Sequence, residues 1–517
     1  MPELKIEEAA ALSNGAAHFK RLSGLRAELR GIDSAMALVR FELDDFQRVL
    51  KTTISLCAEC LRHVPALIFT RGGKVLIKKY CADHGFAEAL LENDEQYFFL
   101  SNKDLWGRCF APDKVFDLPR FKSADTGCCC GPGECGGGEP SEADFEDGFS
   151  SQMGNKSCMI FAEVTNACNL ACPVCYSDAK GNRKLPLNEF KRHILRLIEH
   201  KGGLDSVQLT GGEAVLHPEF WEMIAFLYQQ PVRKIYLPTN GIVFARKEVA
   251  ERLREFRDRV MLQLQFDGQG KTNETLRAAE PSRIRMEVLE LAREMDIQTQ
   301  ITMTVTRGLN EHEIGWVVDQ GMRYRNIKVI ALQPVTYSGR YDLPQDPLLR
   351  ITLSDIVKAV VAQARKKTRP EDYVPIPCSH PNCGWVTLFL RRFGLTTNIV
   401  KYVDLPKAIQ QVSNKAMLTT NELREAVGNN ESNPLRRVAV KLGRRLVRSK
   451  DMLTIGIKPY MDRFSYDQDR ISNCCTHLLD THGNPVSFCE YNALVRQRDS
   501  WDRLPTMPVT KPIHDKI

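Results

Sequence analysis

Three cysteines stand at one fixed spacing in Cys168-Asn-Leu-Ala-Cys172-Pro-Val-Cys175. They follow the stretch EVTNA, which reads as the end of a β-strand. Three thiolates on one short loop can bind three irons of a 4Fe-4S cluster but not the fourth. An open metal position of that kind is the mark of a catalytic site. The competing reading is a structural zinc knuckle completed by a distant cysteine, but such knuckles favour paired CxxC units.

Three further cysteine groups carry chemistry. Cys378 and Cys383 in PCSHPNCG, Cys489, and one of the adjacent pair Cys474 and Cys475, taken as Cys475, make four thiolates from two separated segments. That set suits a fully ligated 4Fe-4S electron relay; the bland alternative is a group of small buried hydrophobes. Near the start, Cys57-Ala-Glu-Cys60 and Cys81-Ala-Asp-His84 flank a hairpin. Three thiolates and an imidazole suit one tetrahedral ion, zinc or iron, and Cys109 is an alternative to His84. Lastly, Cys130 and Cys135 in GCCCGPGECGGG are candidate ligands of another cluster. A redox-reactive cysteine-rich linker explains them equally well.

The elements that must position these groups can be read from pattern. The chain has 517 residues, too many for one core. Hydrophobic residues make up 43% and charged residues 26%, which excludes a disordered or collagenous chain. Lys plus Arg exceeds Asp plus Glu by only 7, too little to argue for a nucleic-acid partner. Residues 1–50 read as helical. Residues 51–110 form a metal-binding hairpin domain turning at Gly72-Gly73. Residues 111–157 are a Cys/Gly-rich linker. From 158 to 345, short apolar strands (158–165, 206–211, 234–240, 260–267, 299–305 and 328–335) alternate with amphipathic stretches, the pattern of repeated βα units and a parallel sheet. Six units fit a partial (β/α)6 barrel, with chemistry at the C-terminal strand ends. Residues 346–517 form a third, auxiliary region, in which THGN turns between two short strands.

The opening MPELKIEEAAALSNG has charges where a secretory signal is apolar. No run approaches the roughly 18 apolar residues of a membrane span. The expectation is a cytoplasmic chain with reduced thiols.

The cysteine loop resembles the CxxxCxxC signature of the radical S-adenosylmethionine (SAM) superfamily. Gly211-Gly212-Glu213 at the second strand's end resembles its GGE motif, and Thr239-Asn240-Gly241 at the third is similar to another of its features. Val174 stands where many members carry an aromatic, and Tyr176 follows instead. The resemblance implies a radical SAM barrel in which Cys168, Cys172 and Cys175 hold the cluster. It also implies SAM bound by Tyr176, Gly211, Gly212, Glu213, Thr239 and Asn240, and an electron donor such as ferredoxin or flavodoxin. SAM cleavage would then yield a 5′-deoxyadenosyl radical that abstracts hydrogen from an unactivated C–H bond. The whole layout, with one or two auxiliary 4Fe-4S clusters and one mononuclear zinc or iron, resembles the subfamily of archaeal tetraether lipid synthase and dihydropterin methyltransferase-like proteins.

That subfamily offers C–C coupling of lipid chains or C-methylation of a reduced pterin. The basic run PLRRVAVKLGRRLVRSK (434–450) suits an anionic membrane surface if helical, so lipid coupling with peripheral contact at the inner membrane face is the expectation. A peptide-modifying enzyme and a non-catalytic iron–sulfur electron carrier are the other readings.

Overall fold

The computed structural model describes residues 15–99, 157–376, 379–403, 420–426 and 448–508. Cys109, Cys130, Cys135, Cys378 and residues 434–447 of the basic run lie outside them.

Two helices, Gly15–Arg30 and Ser34–Arg40, open the chain. The strands begin earlier than the pattern predicts, at Arg48. β1 (Arg48–Leu56), β2 (His63–Arg71), β3 (Lys74–Cys81) and β4 (Gly85–Glu92) form an antiparallel meander. The expected hairpin is β2–β3. Gly72 and Gly73 take φ of 59° and 74° at its tip, which a two-residue primed turn requires. Ile68, Ile77 and Ala89 pack on one face with Leu50 and Phe98.

The barrel strands are β5 (Met159–Thr165), β7 (Leu204–Gly211), β8 (Val232–Thr239), β9 (Val260–Gln265), β10 (Gln298–Val305) and β11 (Ile327–Pro334), and they pair in parallel in that order. β6 (Val174–Cys175) and β12 (Arg340–Tyr341) form a two-residue ladder beside them. The first crossover helix, Leu187–Lys201, buries Phe190, Ile194 and Leu197 on the sheet, a spacing that falls on one helical face. Each such side chain contributes about 1.5–3 kcal/mol of burial. Gly202, at φ 75°, ends the helix.

The region after 345 does not stand apart from this sheet. β13 (Val374–Pro375), β14 (Trp385–Arg392) and β15 (Leu395–Asn398) lead to β16 (Met452–Ile457), which pairs in parallel with β11. β17 (Thr476–Leu479) pairs in parallel with β5 at the opposite edge, and β18 (Pro485–Ser487) folds back on it after the expected turn. The six expected strands thus carry one more parallel strand on each side, with β14 antiparallel beyond β16 and β18 beyond β17. An open sheet edge leaves a row of unpaired backbone groups, and β16 and β17 cover both. The connection between them, 458–475, crosses the seam, and Lys458 Nζ donates to Thr476 Oγ1 at 2.8 Å over it.

Candidate active site in the barrel lumen

The strand ends converge on a cavity of about 420 Å³. Cys168, Cys172 and Cys175 line it, together with Tyr176, Gly211, Gly212, Glu213, Thr239 and Asn240. The nine residues read from the sequence as cluster and SAM contacts therefore meet in one space.

The cysteine loop is fastened to the next strand through backbone. Gly212 N donates to Thr165 O and Glu213 N to Ala167 O, each at 2.8 Å. A Cβ on Gly211 would lie 2.0 Å from Thr165 O, and one on Gly212 would lie 2.0 Å from Ala167 O. The two glycines are thus required by the approach of the loop itself.

Glu213 joins the second strand to the third. Its carboxylate accepts from Thr239 Oγ1 at 2.6 Å and Asn240 N at 3.0 Å. Burial pushes it up to about 7 against those hydrogen bonds. Asn240 Nδ2 donates to Asn169 Oδ1 at 2.7 Å, which returns the chain of contacts to the cysteine loop. Tyr176 shares a hydrogen bond with Thr210 Oγ1 at 2.9 Å and packs on Phe488, with ring centroids 5.3 Å apart.

Burial, followed by the charge of Glu213, raises the Cys168 thiol, and burial raises Cys172. Burial also opposes ionisation of Cys175, but hydrogen bonds from Ser177 and the Ala179 backbone outweigh it and bring that thiol below its usual value. Buried thiols of this kind become thiolates when a metal takes the place of the proton.

Two guanidinium groups complete the site. Arg277 and Arg285 line the cavity from the segment after β9. Arg285 is 1% exposed, yet among the described residues its Nε and Nη2 have no hydrogen-bond partner. Burial brings it down to about 10. A buried guanidinium with two unused donors beside a cavity fits an anionic group such as the carboxylate of SAM. The donor set and this cation therefore fit a 4Fe-4S cluster and SAM.

The lumen below sets a row of amides among apolar side chains such as Met159, Phe161, Val329 and Val386. Gln208, Gln263, Gln265, Gln300 and Gln333 face it with several threonines. Gln263 Nε2 donates to Gln300 Oε1 at 3.3 Å, and Gln300 Nε2 donates to Thr302 Oγ1 at 3.0 Å. Sequence reading missed Gln208, Gln263, Gln265, Gln300 and both arginines. A signal for the glutamines existed, since VMLQLQ and QTQITMT place amides at alternate positions of strands otherwise fit for burial. For the arginines no local signal exists. Asp267 is taken up by Arg277 and Thr304 N. Tyr337 donates to Asp346 O and is not part of the lining.

The other thiols separate into two places. Ligand atoms of Cys57, Cys60, Cys81 and His84 lie within 4.8 Å of one another, close enough for one ion. His84 Nδ1 lies 3.4 Å from Cys81 Sγ and 3.6 Å from Cys57 Sγ. In the C-terminal region the adjacent cysteines divide. Cys475, the residue taken as a cluster ligand, lines the barrel lumen. Cys474 instead sits where, after burial and Cys475, Cys489 and Cys383 oppose its ionisation. Arg470 Nε donates to Cys383 Sγ at 3.4 Å and Met461 N to Cys489 Sγ at 3.2 Å.

The family model described as the radical SAM superfamily matches residues 162–320. The chain thus carries a domain of the radical SAM superfamily. It is a radical SAM enzyme, and that membership implies a 4Fe-4S cluster and SAM. A second model, the HMPTM N-terminal zinc ribbon domain, matches residues 49–93, the meander that carries the four-ligand group. Over 519 aligned residues this radical SAM chain is 25% identical to 7,8-dihydro-6-hydroxymethylpterin dimethyltransferase of Methanocaldococcus jannaschii, covering 86% of this chain and 94% of that protein. It is 28% identical to GTP 3′,8-cyclase of Synechocystis over 36% of this chain and 58% of that one. It is 31% identical to mycofactocin maturase MftC of Mycobacterium ulcerans over 34% and 45%. Among the described residues no helix is long and apolar enough to cross a membrane.

Proposed function

We propose that this enzyme C-methylates a small polar ring, of the reduced-pterin class, held in the barrel lumen. The observation that carries the reading is the lining of neutral amides, Gln208, Gln263, Gln265, Gln300 and Gln333. Each amide offers a donor and an acceptor, which pair with the edge of a lactam-bearing heterocycle. An alkyl chain pairs with none of the amide atoms that the Gln263–Gln300–Thr302 and Gln265–Asp267 hydrogen bonds leave open. The relative from Methanocaldococcus jannaschii, named for a pterin dimethyltransferase activity, supports the same direction. The coupling of lipid chains rested on the basic run at 434–450, most of which lies outside the described residues.

In this reading Cys168, Cys172 and Cys175 would hold the cluster, and Gly211, Gly212, Glu213 and Arg285 would hold SAM. When bound, the pair supplies a 5′-deoxyadenosyl radical able to abstract hydrogen from an unactivated C–H bond. The chain's own part is orientation and shielding. Glu213 and Asn240 fix the strand ends against the cysteine loop, and the glutamines orient the substrate. Tyr176 and Phe488 wall the cavity beside β5. Cys57, Cys60, Cys81 and His84 hold a structural zinc. Cys378, Cys383, Cys474 and Cys489 form an auxiliary cluster site supplied by a small electron-donor protein.

The test is anaerobic reconstitution with a strong reductant, followed by incubation with labelled 7,8-dihydro-6-hydroxymethylpterin or labelled dialkyl lipid. The expected result is deoxyadenosine formation stimulated by the pterin, with methylated pterin as product. Stimulation by lipid alone, with coupled chains as product, overturns the substrate reading.

A further inference from the structure

Arg277 makes more contacts than an ion pair needs. It ends the helix Lys271–Arg277, and Ala278 turns into the left-handed region at φ 53° directly after it. The side chain thereby enters the barrel mouth, where it is 8% exposed. Its Nε and Nη2 donate to the two oxygens of Asp267 at 2.7 and 2.9 Å, and Nη2 also donates to Thr304 Oγ1 at 3.1 Å. Nη1 turns the other way and donates to Val174 O at 3.1 Å, in the middle of the Cys172–Cys175 turn. Asp267 is fully buried and also lies 3.7 Å from Arg285 Nη1. Two guanidinium groups therefore share one carboxylate at the cysteine loop, a local excess of one positive charge. In a buried site that excess is weakly screened.

We propose that Arg277 is a positioning residue that fixes the Cys172–Cys175 turn and sets the reduction potential of the cluster held there. A reduced cluster carries one more negative charge than an oxidised one. A neighbouring cation stabilises the reduced form and makes the potential less negative, one of the levers a protein has over such a centre. Asp267 acts in the opposite sense while aiming the guanidinium. This inference rests on the reading of Cys168, Cys172 and Cys175 as cluster ligands.

The experiment compares wild type, Arg277→Gln, Arg277→Lys and Asp267→Asn after anaerobic reconstitution. Iron and sulfide are counted, and the reduced cluster is titrated by electron paramagnetic resonance against potential without SAM. Arg277→Gln is expected to move the midpoint to more negative values. The reduced-to-oxidised ratio at a fixed potential should fall about tenfold, or about 59 mV for a one-electron couple. Arg277→Lys keeps the charge and should stay near wild type. Asp267→Asn removes the opposing charge and should move the midpoint the other way. It decides the matter if Arg277→Gln fails to fold. An Arg277→Gln or Asp267→Asn protein with its cluster intact and an unmoved midpoint overturns the inference. A wild-type protein with no four-iron cluster at Cys168, Cys172 and Cys175 overturns instead the ligand reading beneath it.

Discussion

The amide of Gly212 donates to the carbonyl of Thr165 at 2.8 Å, so the end of β7 is tied to the last residue of β5, just before the cysteine loop. A Cβ at Gly212 would meet Ala167 O at 2.0 Å, and backbone cannot yield as a flexible side chain would. Gly212→Ala should therefore push the loop away from β7. The expected outcome is loss of most of the iron held by Cys168, Cys172 and Cys175, with the zinc at Cys57, Cys60, Cys81 and His84 retained. Metal analysis of the reconstituted variant checks it. Full iron content would show that the loop is held by other contacts.

The pair Cys474 and Cys475 allows a sharp separation. Cys475 lines the lumen, whereas Cys474 shares a neighbourhood with Cys383 and Cys489. Cys474→Ser should lower the iron count by one cluster. Cys475→Ser should keep the count, while altering substrate binding in the lumen by adding a polar hydroxyl in place of the thiol. The reverse pattern of iron loss would reassign the ligand.

Glu92 sets a pH dependence of stability that is independent of any metal. It is 4% exposed, and its Oε1 accepts from Thr352 Oγ1 at 2.6 Å and Ser354 Oγ at 2.5 Å, joining the meander to the helix Leu353–Gln363. Burial pushes its carboxyl up to about 7 against those hydrogen bonds. In the unfolded chain a glutamate titrates near 4.3. Between these values the folded state binds more protons than the unfolded one, so this group's contribution falls as pH rises through the window. Stability from Glu92 is thus present in acid and lost by about pH 7. Glu92→Gln keeps the accepting oxygen and cannot ionise. It should lose less stability than wild type between about pH 5 and pH 8 in urea denaturation. Parallel curves for the two proteins would place the titration elsewhere.

The candidate site was legible where it depended on contiguous residues. Cys168, Cys172 and Cys175 share one loop, and Gly211-Gly212-Glu213 and Thr239-Asn240 each close a strand of a repeating βα pattern, so spacing and order were enough to bring them together. The four-ligand group of the meander was legible for the same reason, since a tight turn at Gly72-Gly73 brings two knuckles back to one point.

Contacts between distant segments were not legible. Lys458 and Thr476 belong to β16's end and to β17, the strands that flank the six barrel strands on opposite sides, and nothing in a strand's own sequence says which flank it will cover. Arg277 and Arg285 sit in ordinary helical sequence, and only the closure of the barrel turns them from surface charges into buried ones. The adjacent pair Cys474 and Cys475 could not be divided without the direction each side chain takes at the start of β17. The sequence by itself determined the thiol chemistry and the parallel-strand scaffold, because both follow from residue type and local period. The polarity of the lumen and the charge around the cysteine loop were decided by tertiary structure, because they depend on which side chains are buried together.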